Sequence, residues 1–321
     1  MARSLTSLAA PSSVRPATQA AAADELRAGL TASSPFINPK FLYDSLGSSL
    51  FTAITQLPEY YPTRSEAEVL REQAPRIVRH TGPVASLIDL GAGDCVKAER
   101  LFPILRPARY VPIDISADYL EQAATRLRHA HPGLEVIALG RDFSHAFDLP
   151  DNVPAEGRLF FYPGSSIGNL APDDALALLA RIRELCPGGG LLIGVDRVKP
   201  RAILEPAYDD ALGLTAAFNL NLLRHVNTLL GSNFRVQDWQ HAARYNETES
   251  RIEMHLHARD DVMVKWPGGE RRFTRGQSIH TESSYKYTPA GFSDLLHRAG
   301  FGEIQHWSDR RDWFSVFSAR A

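Results

Sequence analysis

The chain is poor in sulfur and close to neutral, and each shortage narrows what it can be. Two cysteines in 321 residues, Cys95 and Cys186, cannot build the disulfide framework of a small secreted domain. Reduced thiols and a cytoplasmic location are expected. No apolar run approaches the ~20 residues of a spanning helix, so no membrane partner is expected. The formal net charge is −2, which offers nucleic acid no overall basic field and points to a small substrate. His255 and His257 alternate along one segment, but no cysteine, third histidine or acidic pattern completes a ligand set, and no metal is expected. No internal repeat is present. Acidic residues are absent before Asp24. Residues 1–23, rich in Ala, Ser, Thr and Pro, read as a disordered N-terminal tail, with a transit peptide as the alternative.

What is present is an alternation of strands and helices. Strands are expected at 85–90, 109–114, 134–139, 158–163 and 190–196, with helices near 97–106, 117–130 and 172–186. That rhythm implies right-handed βαβ units and a mostly parallel sheet. Ser65-Glu66-Ala67-Glu68 reads as a capping box opening a helix to about His80. From about residue 197 the pattern changes. A long helical stretch over 200–231, broken near Gly213, precedes short strands at 251–259, 262–266, 271–275 and 278–287, an antiparallel block. A helix at 289–299 and strands near 302–308 and 313–319 return to the α/β pattern.

The first strand runs into Leu90-Gly91-Ala92-Gly93-Asp94. Glycines let backbone approach a bound cofactor, and Asp114 ends the next strand where a ribose would lie. The third glycine of a dinucleotide fingerprint is missing, and Asp94 would repel a pyrophosphate there. S-adenosylmethionine, with ribose and adenine but no phosphate, fits better. An ordinary tight turn is the plainer reading of two glycines. Asp142 and Phe143 follow the third strand, where a carboxylate meets the adenine amino group and a ring stacks on it; alone, Asp142 is equally a helix cap. The closing helix and two strands, with Ala299-Gly300-Phe301 between, are the ending of class I methyltransferases. The expected fold is therefore α/β: a class I methyltransferase, Rossmann-like sheet with a second, inserted α+β substrate domain. The expected division is 24–62 with 197–286 for substrate, and 63–196 with 287–321 for cofactor.

On the substrate side, the fourth strand ends in Gly164-Ser165-Ser166-Ile167-Gly168-Asn169. Gly164 belongs to a backbone pocket near the reacting methyl, and Asn169 is either a donor to a carboxylate or the cap of the next helix. In the last strand of the insertion, alternation puts residues 280, 282, 284 and 286 on one face. Glu282 and Ser284 then point together as partners for an imidazole, or form a solvent-facing polar edge. Ile252, Met254 and Leu256 share a core face. Tyr60 lies in the two-proline segment Leu57–Arg64, a candidate lid, although most tyrosines are structural.

These segments together resemble the bacterial histidine N-alpha-methyltransferases of ergothioneine biosynthesis, over about residues 30–321. The resemblance is carried by Lys40-Phe41-Leu42-Tyr43-Asp44 with Gly47-Ser48, by Leu57–Arg64, Gly164–Asn169 and Ala207-Tyr208-Asp209-Asp210, and by Ile252-Glu253-Met254 and Thr281-Glu282-Ser283-Ser284. It implies an enzyme, expected to be a monomer, that moves three methyl groups from S-adenosylmethionine to the α-amino group of L-histidine, giving hercynine. It further implies that Tyr43, Gly91, Lys97, Asp114, Asp142 and Phe143 hold the cofactor. Tyr60, Asn169 and Tyr208 would hold the substrate carboxylate. Glu282 and Ser284, with Ser283 between them, would hold the imidazole, with Met254 lining that side. Tyr43 is the catalytic candidate, orienting the amine. The chain departs from relatives in Asp89 and in Ala92-Gly93-Asp94-Cys95, where Glu and a Ser/Thr-rich loop are commoner, and in Tyr162-Pro163 before Gly164. These lie on the cofactor side. The rivals are a methyltransferase of another amino acid or small amine, a nicotinamide-linked oxidoreductase, and a non-catalytic binder.

Overall fold

The structure is a computed structural model and describes residues 16–143 and 147–321; the expectation for residues 1–15 lies outside them. The strands are, in chain order, β1 Ser86–Leu90, β2 Arg109–Asp114, β3 Glu135–Val136, β4 Leu139–Gly140, β5 Arg158–Tyr162, β6 Gly190–Asp196, β7 Trp239–Asn246, β8 Arg251–Ala258, β9 Val262–Trp266, β10 Gly269–Phe273, β11 Ser278–Tyr285, β12 Gly302–Ser308 and β13 Phe314–Arg320. The main sheet has the order β12-β13-β6-β5-β1-β2-β3, with β4 beside β2. β1 and β6 are buried along their whole length, so their near-continuous apolar runs fit a sheet covered on both faces. β1, β2, β5 and β6 pair in parallel, whereas β13 runs antiparallel to β6 and to β12. This is the Rossmann-like order and antiparallel ending expected of a class I methyltransferase. The order reverses at β1, which has β2 on one side and β5 on the other. A ligand crevice belongs at the C-terminal ends of those two strands, where Gly91 and Gly164 stand.

Several expectations are corrected. Residues 16–23, read as part of a disordered tail, are the start of a helix, Pro16–Thr31, that buries Ala23, Leu26 and Leu30. The third strand is two short pieces, and the helix expected over 97–106 is interrupted between Val96–Glu99 and Phe102–Leu105. Ser65 and Glu66 do not cap a helix. The helix starts earlier, at Pro62, because Pro is suited to its first position. Ser65 instead donates to Asp309 Oδ2 at 3.0 Å, and Glu66 turns inward. β7 was not foreseen; its alternate residues Trp239, His241 and Ala243 are buried, and a histidine and an alanine do not read as an apolar stripe.

β11, β8 and β7 form a separate antiparallel sheet. Its inner face, with Ile252, Met254, Leu256 and Ile279, packs in one cluster with Leu26, Leu42, Ile54, Phe218 and Leu222 from four helical segments. A parallel bridge, Arg197 to Tyr287, sews this layer to the main sheet. Val198 N–H donates to Tyr287 O at 3.2 Å, and Tyr287 N–H to Asp196 O at 3.1 Å. Gly168 allows the same approach one turn away: a Cβ there would lie 2.7 Å from Tyr285 O and 3.2 Å from its N. Gly168→Ala is expected to push β11 off the 166–169 turn and to lower unfolding stability by about 1–3 kcal/mol, read from denaturant or thermal melts; wild-type stability would show that the contact yields without cost.

Candidate active site

At the cofactor end, Gly91 and Gly93 have φ of 70° and 52°, a region in which side chains are strained. Gly91 and Ala92 donate to Ile113 O, folding the loop onto β2. Asp114 braces both loops: Oδ2 accepts Gly93 N–H and Oδ1 accepts Ser116 N–H, each at 2.9 Å. Phe143 stands over Gly91, its Cζ 3.8 Å from where a Cβ would be, and meets Tyr162 edge-on at 5.7 Å. Asp142 lies 3.5 Å from Lys40 Nζ. Lys97 pairs with Glu66 at 2.8 Å, and the other Glu66 oxygen accepts Gly164 N–H at 2.8 Å. A Cβ on Gly164, whose φ is 78°, would sit 2.9 Å from Lys97 Nζ. The cofactor residues named from sequence are thus gathered around the ends of β1, β2 and β5.

The donor set fits S-adenosylmethionine better than a phosphate-bearing cofactor. The helix start where a pyrophosphate would bind is taken by Asp94, whose Oδ1 accepts Val96 N–H at 3.1 Å. A carboxylate, Asp114, and a ring, Phe143, stand against the two glycines, and the Lys97 ammonium stands against Gly164.

Next to Gly164 opens a cleft lined among others by Tyr43, Tyr60, Asn169, Tyr208, Met254, Glu282 and Ser284. Asn169 ends a short 3₁₀ turn and is not the cap of the following helix; that position is Ala171. Phe51 and Phe218, both missed from sequence, complete an aromatic wall: Tyr43 meets Phe51 at 5.7 Å and Phe218 at 5.5 Å, and Phe51 meets Tyr60 at 5.9 Å. Tyr60 in turn meets Tyr208 at 6.3 Å. Burial, reinforced by Glu282, pushes the hydroxyls of Tyr43, Tyr60 and Tyr208 well above the usual tyrosine range. They stay protonated at neutral pH, so Tyr43 is no base.

A bulge in β11 changes the face assignment. The register with β8 shifts between His280 and Glu282, and the extra residue, Thr281, is buried with its hydroxyl on Met254 O at 3.1 Å. One inserted residue reverses the alternation. His280 therefore lies opposite Glu282, not beside it, and Ser283 shares the outer face, bonded to His280 Nε2 at 3.1 Å. Ser283, named with the substrate residues, is outside the cleft. Glu282 and Ser284 point in, and Glu282 is buried, its carboxyl raised to about 7 by desolvation while Lys286 pulls it back. On the outer face His255 and His280 rings lie 5.2 Å apart, yet no group of three or more His, Cys, Asp or Glu able to hold a metal occurs among the described residues.

Behind the cleft lies a polar network that sequence did not reveal. Asp196, at the end of β6, accepts from Tyr61, Lys199 and Lys286. Burial opposes its charge, but the two ammonium groups outweigh it and hold the carboxyl below the usual range. Lys286 also donates to Tyr208 and Ser284, whose hydroxyls bond each other at 2.8 Å. Asp-x-x-Lys at a strand end is a faint signal; the partners are distant in sequence.

A family model described as "Histidine-specific methyltransferase, SAM-dependent" matches residues 22–321. The chain is 39% identical over 293 residues to a histidine N-alpha-methyltransferase of Mycolicibacterium smegmatis, covering 89% of this chain and 90% of that one. It is 38% identical over 300 residues to the protein of the same name from Mycobacterium tuberculosis, covering 91% and 92%. Ergothioneine biosynthesis protein 1 of Neurospora crassa is 31% identical over 280 residues, which are 83% of this chain and 31% of that larger protein. The chain belongs to the family of histidine-specific, S-adenosylmethionine-dependent methyltransferases.

Proposed function

We propose that this enzyme transfers three methyl groups from S-adenosylmethionine to the α-amino group of L-histidine, forming hercynine for ergothioneine biosynthesis. The observation that carries the substrate is the inward pair at the cleft floor: Glu282 as an acceptor and Ser284 as a hydroxyl, on one face beside Met254. An imidazole presents two ring nitrogens that such a pair can meet. We assign Tyr60, Asn169 and Tyr208 to the carboxylate, and Gly91, Lys97, Asp114, Asp142, Phe143 and Gly164 to the cofactor. Segments 24–62 and 197–286 then form the substrate-binding part, and 63–196 with 287–321 the cofactor-binding part. We place the enzyme in the cytoplasm as a monomer, acting on a small molecule and not on nucleic acid or membrane; among the described residues no helix is long and apolar enough to cross a membrane.

When bound, S-adenosylmethionine supplies an electrophilic methyl group. The protein's part is alignment. Tyr43 orients the amine through its neutral hydroxyl, and the aromatic wall of Phe51 and Phe218 excludes water from one side. Positioning of this kind supplies ~7–11 kcal/mol. The attacking amine must be neutral; no cleft tyrosine can take its proton at neutral pH and Glu282 is assigned to the imidazole, so the proton leaves to solvent. After the third transfer the nitrogen has no lone pair, and the reaction ends.

Incubation with S-adenosylmethionine and a pooled amino-acid mixture is expected to raise histidine alone by one, two and three methylene masses. Gain on a different amino acid, or none, would overturn this reading. Glu282→Ala is expected to lower kcat/KM for histidine by about 2–5 kcal/mol of transition-state stabilisation, measured by steady-state kinetics. Glu282 must be ionised to accept a charge-assisted bond. Because its carboxyl titrates at about 7, kcat/KM should fall as pH drops through that value, and Glu282→Gln should lose this part of the acid limb. The same raised carboxyl favours folding below its ordinary 4.5 and costs stability as pH rises through about 7. Glu282→Gln should therefore gain in Tm over wild type across that interval, as a melt series in pH would reveal.

A further inference from the structure

We infer that Lys286 is a positioning residue for amino-acid recognition: its one buried ammonium holds both Tyr208 and Ser284 and provides the positive charge that faces Glu282. The inference rests on the proposed placement of the imidazole at Glu282 and Ser284.

The geometry begins with a count of donors. A lysine ammonium has three N–H groups and no acceptor. Lys286 Nζ lies 2.8 Å from Asp196 Oδ2, 2.9 Å from Tyr208 Oη and 2.8 Å from Ser284 Oγ, so every donor is committed. Its side chain is 0% exposed, which leaves no water to substitute for a lost partner. Ser284 and Tyr208 are bonded to each other. Each oxygen therefore accepts from Lys286, one of the two hydroxyl protons closes the bond between them, and a single proton remains for the cleft. Lys286 thereby limits how the pair that touches both ends of the substrate can turn.

The charge count points the same way. Asp196 already has an ammonium in Lys199, 2.5 Å from Oδ1, and that lysine, pushed down by burial to about 8, is mostly charged at neutral pH. Tyr61 donates to both Asp196 oxygens. Asp196 thus faces two lysines, one of which, Lys199, also feels Asp309. The acid that faces the cleft beside Lys286 is Glu282, and Lys286 is the group that opposes its desolvation. The other titratable groups around Glu282, namely Tyr43, Tyr60 and Tyr208, are neutral hydroxyls held protonated; beyond Lys199 stands Asp309. Lys286 therefore acts on two carboxyls, Asp196 and Glu282, and favours the charged form of each.

The test is the pH profile of kcat/KM for histidine in Lys286→Met, Glu282→Gln and the double variant. A nearby opposite charge favours the charged form of a carboxyl, and Lys286 acts on Glu282 in that sense. Lys286→Met should thus move the acid limb to higher pH and lower kcat/KM at pH 7 by about twofold or more. In the Glu282→Gln background the same substitution should leave the limb in place. A limb that does not move, or that moves equally without Glu282, overturns the inference. Wild-type enzyme that fails to methylate histidine overturns the underlying reading instead. S-adenosylhomocysteine-induced thermal shifts report folding of each variant. If Lys286→Met does not fold, Lys286→Gln, which keeps N–H donors but not the charge, takes the same readout.

Discussion

The structure depends on one buried carboxylate. Asp196 ends β6 in the middle of the main sheet, and its backbone carbonyl accepts Tyr287 N–H where the substrate layer is joined. Its N–H donates to Ser165 Oγ at 2.8 Å, tying in the loop after β5, where Ser165 sits in the left-handed region at φ 61°. Its side chain collects Tyr61, Lys199 and Lys286. Four segments far apart in sequence thus meet on one residue. Such an arrangement is weak evidence for net stability, since desolvation offsets the attraction; removing one partner alone, however, leaves a buried charge and typically costs ~3–5 kcal/mol. Its value lies in geometry: the joint decides where Ser165, Tyr208 and Ser284 stand relative to the end of β5.

From that joint the two halves of the site are set by close backbone approach. Gly164 faces both ways. Its N–H is held by Glu66, which also pairs with Lys97 on the cofactor side, while its neighbours Ser165 and Ser166 line the cleft. Glu66 is 2% exposed, and it reaches this point because Gly194 in β6 has no side chain: a Cβ there would lie 2.1 Å from Glu66 Oε1. A glycine in a central strand weakens the strand locally, and here it admits a carboxylate to the seam between the two ligand regions.

Local pattern carried the parallel sheet, because Leu87-Ile88-Asp89-Leu90 and Leu191-Leu192-Ile193 are the near-continuous apolar runs that two-sided burial requires. The cofactor loop was legible for a similar reason: it is contiguous, and its glycines and acids sit at strand ends. The substrate site was legible mostly through kinship. Glu66 satisfied the local rule for a helix cap, and a contact 98 residues away decided otherwise. The bulge at Thr281 adds one residue with no compositional mark, so simple alternation misplaced His280, and kinship counted Ser283 with the cleft. Lys286 met Asp196 only through the fold. Two-residue periodicity describes a strand between irregularities, and this site is built at an irregularity.

The bulge also bears on why one short strand can serve two environments. Before it, Ile279 faces the apolar cluster while His280 faces out. After it, Glu282, Ser284 and Lys286 face inward, in the direction that an uninterrupted strand would have given to residues 281, 283 and 285. A regular strand would place Ser283 in the cleft and send Glu282 to the outer face with His255 and His280. There the carboxyl would be solvated and in its ordinary range, able to accept a bond but without the desolvation that makes an unpaired N–H costly. Discrimination among amino-acid side chains rests on that cost. On the proposed reading, selectivity for an imidazole therefore traces to a single extra residue in β11, which turns an acid into the protein, and to the lysine two turns of the pleat away, which favours its charged form there.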